Sequence, residues 1–414
     1  MKKVFFYTGF LMSLLMAGPG LTTPVFAADR GELERRLNML ADEVDELKEQ
    51  GEAGGVMDKV SVHGYGELHF NVPSDGRQSA FDNHRFVLGV HARLADWIHL
   101  NVEIDFEHAA QELEFELGYL DFLIHPAINF RAGVVLVPVG FLNEYHEPPL
   151  FWTVERPLIQ NRVIPTTWNA AGAGIFGTPF EGVSYRLYVV NSLQSIREEG
   201  FDDGHGAGGA SGRFRASSGI RSGRLQADEA IAEDLAVTGR LEFSKLFPGL
   251  QVGASFYTGE TTHDLISEGG RTTLIEGDVK YRWNWFEMNS TVAFTWIDDA
   301  AALNDFAISE STADGVIPDE ILGWNIQFGI HVPQLIGWNT RQDIVPFFLY
   351  EEIDTQESVP SGFMRDPSRD LDVYHFGVAY LPIPEVSLKG DFQIVDKGDG
   401  SSDRQVNFGV AYMY

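Results

Sequence analysis

From residue 60 to the last residue, apolar and polar side chains alternate in short runs bounded by turn residues. A strand turns successive side chains to opposite faces, so alternation of period two marks an extended segment with one apolar and one polar face. The clearest run is the last one. Val406, Phe408, Val410, Tyr412 and Tyr414 share one side, and Gln405, Asn407, Gly409 and Ala411 share the other. An apolar outer face with a small or polar inner one is the dyad pattern of a transmembrane barrel strand. Sixteen such segments can be marked, at 60–71, 82–95, 97–108, 112–124, 127–137, 168–178, 182–192, 232–246, 249–261, 270–283, 285–297, 321–333, 340–353, 370–381, 384–396 and 403–414. The count is even, as single-chain bacterial barrels require. The pattern predicts an all-β transmembrane barrel of 16 antiparallel strands over 60–414, with the last strand pairing to the first so that no edge is open.

The connections support the same reading, because a barrel with its N-terminus in the periplasm alternates long outer loops with short inner turns. The even-numbered joints are tight, as at Ala95 and Asp96, His125 and Pro126, Asn284, and Pro382 to Pro384. Most odd-numbered joints are longer and polar, at 72–81, 138–167, 193–231, 262–269, 298–320, 354–369 and 397–402. The exception is the short joint near Ala109 to Gln111, which makes the third and fourth strands the weakest pair of the assignment. Trp97, Trp283, Trp285, Tyr380, Tyr412 and Tyr414 gather at the expected periplasmic ends, where aromatic rings favour the interfacial layer.

Ahead of the barrel, Lys2 and Lys3 precede an apolar stretch from Val4 to Ala17, and Pro24, Val25, Phe26 and Ala27 place small or apolar residues at the −3 and −1 positions of a cleavage after Ala27. Residues 1–27 are therefore expected to be a secretory signal peptide. In 28–50, Leu33, Leu37, Leu40, Val44 and Leu47 recur at steps of four and three with charges between them. That spacing predicts a short α-helical coiled coil, most simply a periplasmic trimer stalk, followed by a flexible linker over 51–59.

The chain of 414 residues carries no cysteine, so no disulfide framework or thiolate metal site is available. Its formal net charge of −30 argues against nucleic-acid binding, which relies on basic surface. Acidic outer loops suit a surface where divalent cations bridge lipopolysaccharide phosphates. The partners expected are thus the lipid bilayer, lipopolysaccharide and small hydrophilic solutes or anions.

Residues Pro138 to Trp168 form the most unusual segment, rich in Pro, Phe and Trp and too apolar for a solvated loop. A long loop of this kind packs somewhere, and in a barrel the available place is the lumen. Folded inward, it would narrow the channel and bring Glu144, His146, Glu147, Glu155, Arg156 and Arg162 to the constriction, with Arg131 just before it. The run from Gly133 to Phe141, the Val154, Glu155, Arg156, Pro157 stretch and the return from Thr166 to Gly174 resemble the porin O and P family of phosphate-selective, trimeric outer-membrane porins. That resemblance implies a homotrimer with one pore per protomer and a constriction built by the third outer loop. The loop here carries no lysine, and phosphate transfer through a narrow pore needs fixed positive charge, so phosphate selectivity is not expected to carry over.

On the inner faces of the strands, acids dominate the third strand while arginines recur on strands two, five, seven and eight, an arrangement that predicts a transverse field across the lumen. Arg213, Arg215, Arg221 and Arg224 form a basic cluster expected to lie in a flexible Gly/Ser-rich loop. No Gly-x-Ser-x-Gly or His-Glu-x-x-His motif is present, so no enzymatic activity, cofactor or metal is expected. The reading that follows is an outer-membrane porin passing small hydrophilic solutes by diffusion. The alternative is a structural or plugged barrel that anchors the envelope through its coiled coil.

Overall fold

The computed structural model describes residues 59–199, 213–227 and 230–414. The expected signal segment, the coiled coil and all but the last residue of the linker lie outside the described residues. Sixteen strands follow in chain order: β1 (Val60–Pro73), β2 (Ala80–Ala95), β3 (Ile98–Glu107), β4 (Glu112–His125), β5 (Ile128–Leu136), β6 (Asn169–Phe180), β7 (Val183–Asn191) and β8 (Leu235–Phe243). The second half comprises β9 (Leu250–Gly259), β10 (Thr272–Trp283), β11 (Phe286–Ile297), β12 (Glu320–Ile330), β13 (Asp343–Ser358), β14 (Asp370–Ile383), β15 (Val386–Lys397) and β16 (Ser402–Met413). Every strand pairs antiparallel with its sequence neighbours, and β1 pairs with β16 to close the barrel. Among the described residues no helix is long and apolar enough to cross a membrane.

All sixteen expected segments form strands. The expected closure sets Leu68 opposite Val410 and Phe70 opposite Phe408. The pair that was least secure, β3 and β4, is joined by four residues, 108–111, in which His108, Ala109 and Ala110 adopt positive φ values of 49°, 57° and 67°. That left-handed run reverses the chain in as few residues as the β15–β16 connection, 398–401, and without a long outer loop. β12 ends at Ile330, short of the expected 333, because Pro333 has no N–H for the ladder and enters a helical turn, Val332–Leu335.

Burial runs opposite to that of a water-soluble protein. Phe376, Leu388, Phe408, Val410 and Tyr412 are exposed on the outside, while Lys389, Asp391, Arg240, Asp278, Glu351 and Asn407 are buried within the ring. Such a distribution suits an outer surface that meets lipid and an interior that is polar. In β2 the alternation slips once. Glu67 pairs with Arg85 but His69 pairs with Asp82, so a β-bulge accommodates one extra residue and turns both His84 and Arg85 to the inner side.

Candidate functional site

The segment between β5 and β6 is held by bonds to strands all around the ring. Three short helical turns give it shape: α1 (Phe141–Glu144), a 3₁₀ turn at Pro148–Leu150 and α2 (Ile159–Arg162). Its two ends are fastened by one side chain. Asn143 Nδ2 donates to the carbonyls of Val137 and Trp168, and its Oδ1 accepts from the Trp168 amide at 2.8 Å.

From there the segment reaches wall after wall. The Gly140 amide donates to Ser255 Oγ on β9, and the Val154 amide donates to Asp391 on β15 at 2.7 Å. Lys389 Nζ, also on β15, donates to the carbonyls of Pro148 and Thr153 and lies 3.9 Å from the centre of the Phe151 ring. Glu351 on β13 accepts the amides of Leu158 and Ile159 at the start of α2. Asn71 on β1 donates to Glu155 at 2.7 Å. In a closed ring of sixteen strands β1 and β9 stand on opposite sides, so contacts to both require the segment to reach across the ring. Glycines in the wall make room for it: a Cβ at Gly329 would meet the Trp152 ring at 2.3 Å, and one at Gly409 would meet Val154 at 3.0 Å.

The apolar side of the segment joins a large buried cluster. Val137, Val139, Ile159, Val163, Ile164 and Trp168 pack with Leu193, Phe214 and Ile220 of the β7–β8 connection and with Ala300, Leu303 and Ile317 of the β11–β12 connection. The apolar composition of Pro138 to Trp168 thus has a partner in two further outer connections. The basic cluster is corrected here. Arg224 is buried and donates to the carbonyls of Thr166 and Thr167, Arg213 donates to the carbonyl of Thr312, and Arg215 pairs with Asp314 at 3.4 Å. A guanidinium has five donors in a fixed fork, and the described part of this connection, 213–227, uses them to fasten neighbouring loops rather than to form a flexible basic surface.

The seven residues singled out from sequence do not converge on one point. His146, Glu155 and Arg156 lie together: Arg156 Nη2 donates to the His146 carbonyl, His146 Nε2 lies 2.7 Å from both Tyr65 Oη and Glu116 Oε1, and Glu155 lies 3.1 Å from His69 Nδ1. Glu116 on β4 and the Tyr65 hydroxyl on β1 thereby hold the His146 ring from two strands, and His146 Nδ1 bonds the Asn143 carbonyl at 2.9 Å. Burial of His146 lowers its proton affinity, but the Glu116 charge beside it outweighs that and holds its pKa above the usual histidine value. Glu144 instead pairs with Arg186 on β7 at 3.0 Å, and Arg162 donates to the Ser217 carbonyl. Arg131 grips Asp121 of the adjacent strand through two bonds of 2.7 and 2.9 Å and stacks over Tyr119. Glu147 is half-buried at the start of the 3₁₀ turn.

The expected transverse field is likewise reduced by local pairing. Arg85 meets Glu67, Asp105 and Glu107, and Arg240 meets Glu242, Glu276 and Asp278. Facing residues on adjacent strands lie about 5 Å apart, close enough for charges on neighbouring strands to neutralise one another before they act across a lumen.

Beside the segment a small open slot remains. Phe141, Leu142, Phe151 and Trp152 of the segment form one side, and Lys280, Asn289, Asn325 and Gln327 of β10, β11 and β12 form the other. Gln160 Nε2, Asn289 Oδ1 and Gln327 Nε2 have no protein hydrogen-bond partner there. Buried amides of this kind require water or a polar solute.

A comparison with known proteins can now be made. The chain is 32% identical over 367 residues to an uncharacterized protein of Aquifex aeolicus (strain VF5), covering 86% of this chain and 80% of that one. The chain belongs to the family of that protein. No family model matches it. Among solved structures it is similar to the outer membrane channel DcaP of Acinetobacter baumannii, with a TM-score of 0.55 at 9% identity over 86% of this chain and 97% of that one. It is similar to Salmonella typhi OmpF in complex with daunomycin, with a TM-score of 0.54 at 10% identity over 86% and 97%. The anion-selective porin from Comamonas acidovorans gives a TM-score of 0.52 at 11% identity over 86% and 99%. At these identities the likeness establishes the fold, which is that of a porin barrel.

Within this porin fold, Asn289, Asn325, Gln327 and Gln160 of the slot escaped the sequence reading. They are uncharged, and an inward amide is indistinguishable in sequence from any solvated strand residue. Only Asn289 carried a signal, parity with Glu287, whose face it shares two residues on.

Proposed function

We propose that the chain is an outer-membrane porin through which small hydrophilic solutes and ions diffuse, with residues 137–168 narrowing the lumen from within. The observation that carries this reading is the slot: an apolar, aromatic surface of the loop faces a wall bearing Lys280, Asn289, Asn325 and Gln327, and three buried amide atoms of the slot, Gln160 Nε2, Asn289 Oδ1 and Gln327 Nε2, have no protein partner. Water in such a slot conducts ions, and its width sieves solutes. The exposed apolar band and the polar interior favour a bilayer location, and the alignment of 86% of the chain with porins from three bacterial outer membranes favours the outer membrane.

No reaction is part of this function. The barrel carries no nucleophile motif, and the loop charges serve to hold and bias rather than to transform. A homotrimer of the porin O and P type, with lipopolysaccharide around its outer loops, belongs to the same reading. One structure of similar fold, OmpT of Vibrio cholerae, is described in a trimer form, with a TM-score of 0.51 at 9% identity. Selectivity for phosphate is not part of it, because Arg156 and Arg162 are committed to neighbouring oxygens of the protein.

The test is conductance. Purified folded protein inserted into a planar bilayer should give discrete steps, and deletion of 141–163 should enlarge them. Absence of conductance from folded native protein would overturn the channel reading. A second reading, a plugged or structural barrel, is favoured by the apolar cluster that binds the three outer connections together. It predicts silence from the native chain and opening only after the deletion, so one pair of recordings separates the two.

A further inference from the structure

We infer that the outer ends of β2 and β3 form a binding site for a divalent first-row transition-metal ion, with zinc as the natural probe. Asp82, His84 and His108 present ligand atoms within 4.8 Å of one another. Asp82 Oδ2 lies 3.2 Å from His84 Nδ1 and 3.0 Å from His108 Nδ1. Ligands bound tetrahedrally at about 2.0 Å stand about 3.3 Å apart, so the two Asp82 distances already suit one ion, and the histidine ligand atoms, within 4.8 Å of each other, need only close to that spacing. Two imidazoles and a carboxylate are a donor set for zinc, copper, nickel or cobalt rather than for calcium or magnesium, which prefer oxygen alone.

Three features of the chain bring these residues together. Asp82 and His84 are two apart on one strand, and the bulge in β2 turns His84 inward beside Arg85. His108 occupies the left-handed turn, φ 49°, and its amide bonds the His84 carbonyl at 3.1 Å. Positive φ in a residue that is not glycine persists only where its surroundings hold it, and here it turns the His108 ring toward Asp82. The His84 ring is also fixed: His69 stacks on it at 4.8 Å and is itself bonded through both nitrogens to Glu67 and Glu155.

The site is open to solvent, with side-chain exposures of 27% for His84, 32% for Asp82 and 41% for His108. Three protein ligands leave a fourth position for water or for a group carried by a solute. Glu107 and Glu112 bring carboxylate oxygens within 4.8 Å of His108 and add negative potential that attracts a cation. A second grouping, Glu103, Glu116 and His146, has the ligand types but is closed by its own bonds to Tyr65.

The experiment uses the full, untagged chain folded in detergent and stripped of metal with a chelator. Zinc chloride is titrated by calorimetry, and cobalt(II) serves as a visible-absorption probe of coordination. Native protein should bind one ion per chain at this site, and cobalt should show the intense visible bands of a four-coordinate centre. His108→Ala and Asp82→Asn should each weaken zinc binding about tenfold or more, judged against the 10- to 100-fold effects typical of losing even an outer-shell partner. His125→Ala, at the opposite end of the barrel, should leave it unchanged. Heat-modifiable migration confirms that each variant is folded, and if one is not, the other carries the test. No saturable binding by the native chain, or an affinity as high as the native chain's in both ligand variants, would overturn the site. The readout is binding alone, so it stands or falls independently of conductance.

Discussion

The carboxylate of Glu351, fully buried on β13, accepts the backbone N–H of Ile159 at 3.0 Å and, through its other oxygen, that of Leu158 at 2.8 Å. A single wall residue thus satisfies two amides at the start of α2 that have no helical partner. Glu351→Gln keeps the shape but turns an NH₂ group toward one of them. An unsatisfied buried amide costs about 1–3 kcal/mol. The loop should loosen, and single-channel records should show larger and noisier steps. Records indistinguishable from native would mean that this pair does not restrain the loop.

Lys280 lines the slot on β10, with Nζ 4.3 Å from the centre of the Phe141 ring. Lys280 lines the slot itself, so a change of charge there should bias ions more than one at a turn remote from it. Lys280→Glu is expected to shift the reversal potential in a potassium chloride gradient toward cation selectivity, with Lys280→Met giving a smaller shift in the same direction. Lys245→Glu, on an exposed inner turn beside Glu181, is the control and should leave it unchanged. Equal shifts from the two lysines would place the ion path elsewhere.

The strands were legible because lipid on one side and a polar interior on the other impose period two along every one of them. The closure of β16 on β1 followed from the need for no free edge. The bulge at His84 was not legible, since a single slipped residue looks like noise in an alternating run, and it hid Asp82 and His84 from the site list. That 138–168 packs against something could be argued from its apolar residues, but its charges could not be placed. Glu144, Arg131 and Arg162 each engage a partner that lies near in space, and those partners, Arg186, Asp121 and Ser217, come from the tertiary fold. Arg224 was misjudged for the same reason: Thr166 and Thr167, whose carbonyls it binds, lie far from it in sequence.

Acid should release the loop from β1. Burial alone would raise the pKa of Glu155, but the hydrogen bonds from His69 and Asn71 and the charge on His69 outweigh it and lower the pKa from 4.5 to about 2. A carboxylate held below its unfolded value contributes stability that is complete above about pH 4.5 and is lost as pH falls toward 2. Glu67 and His84 are the other titratable groups at this point. Native conductance should therefore become noisier over that acid window. Glu155→Gln should be noisier already at neutral pH and should respond less to acid. If the variant follows the native acid profile, Glu155 is not the group that titrates.

Phe408 and Asn407 are neighbours on β16 with opposite environments. Phe408 is 52% exposed on the outer face, whereas Asn407 is fully buried and donates to Asp391 at 2.8 Å. If the outer face meets lipid, Phe408→Arg places a charge in hydrocarbon at a cost of about 2–4 kcal/mol near the bilayer midplane. Gln405→Arg, on the inner face near the barrel rim, should cost about 0.5 kcal/mol or less, as a substitution in a wet and roomy setting does. Urea unfolding of both variants in phospholipid vesicles measures the difference directly. Equal losses would show that Phe408 does not lie in the hydrocarbon layer and that the apolar outer band of the closing strand meets something other than lipid.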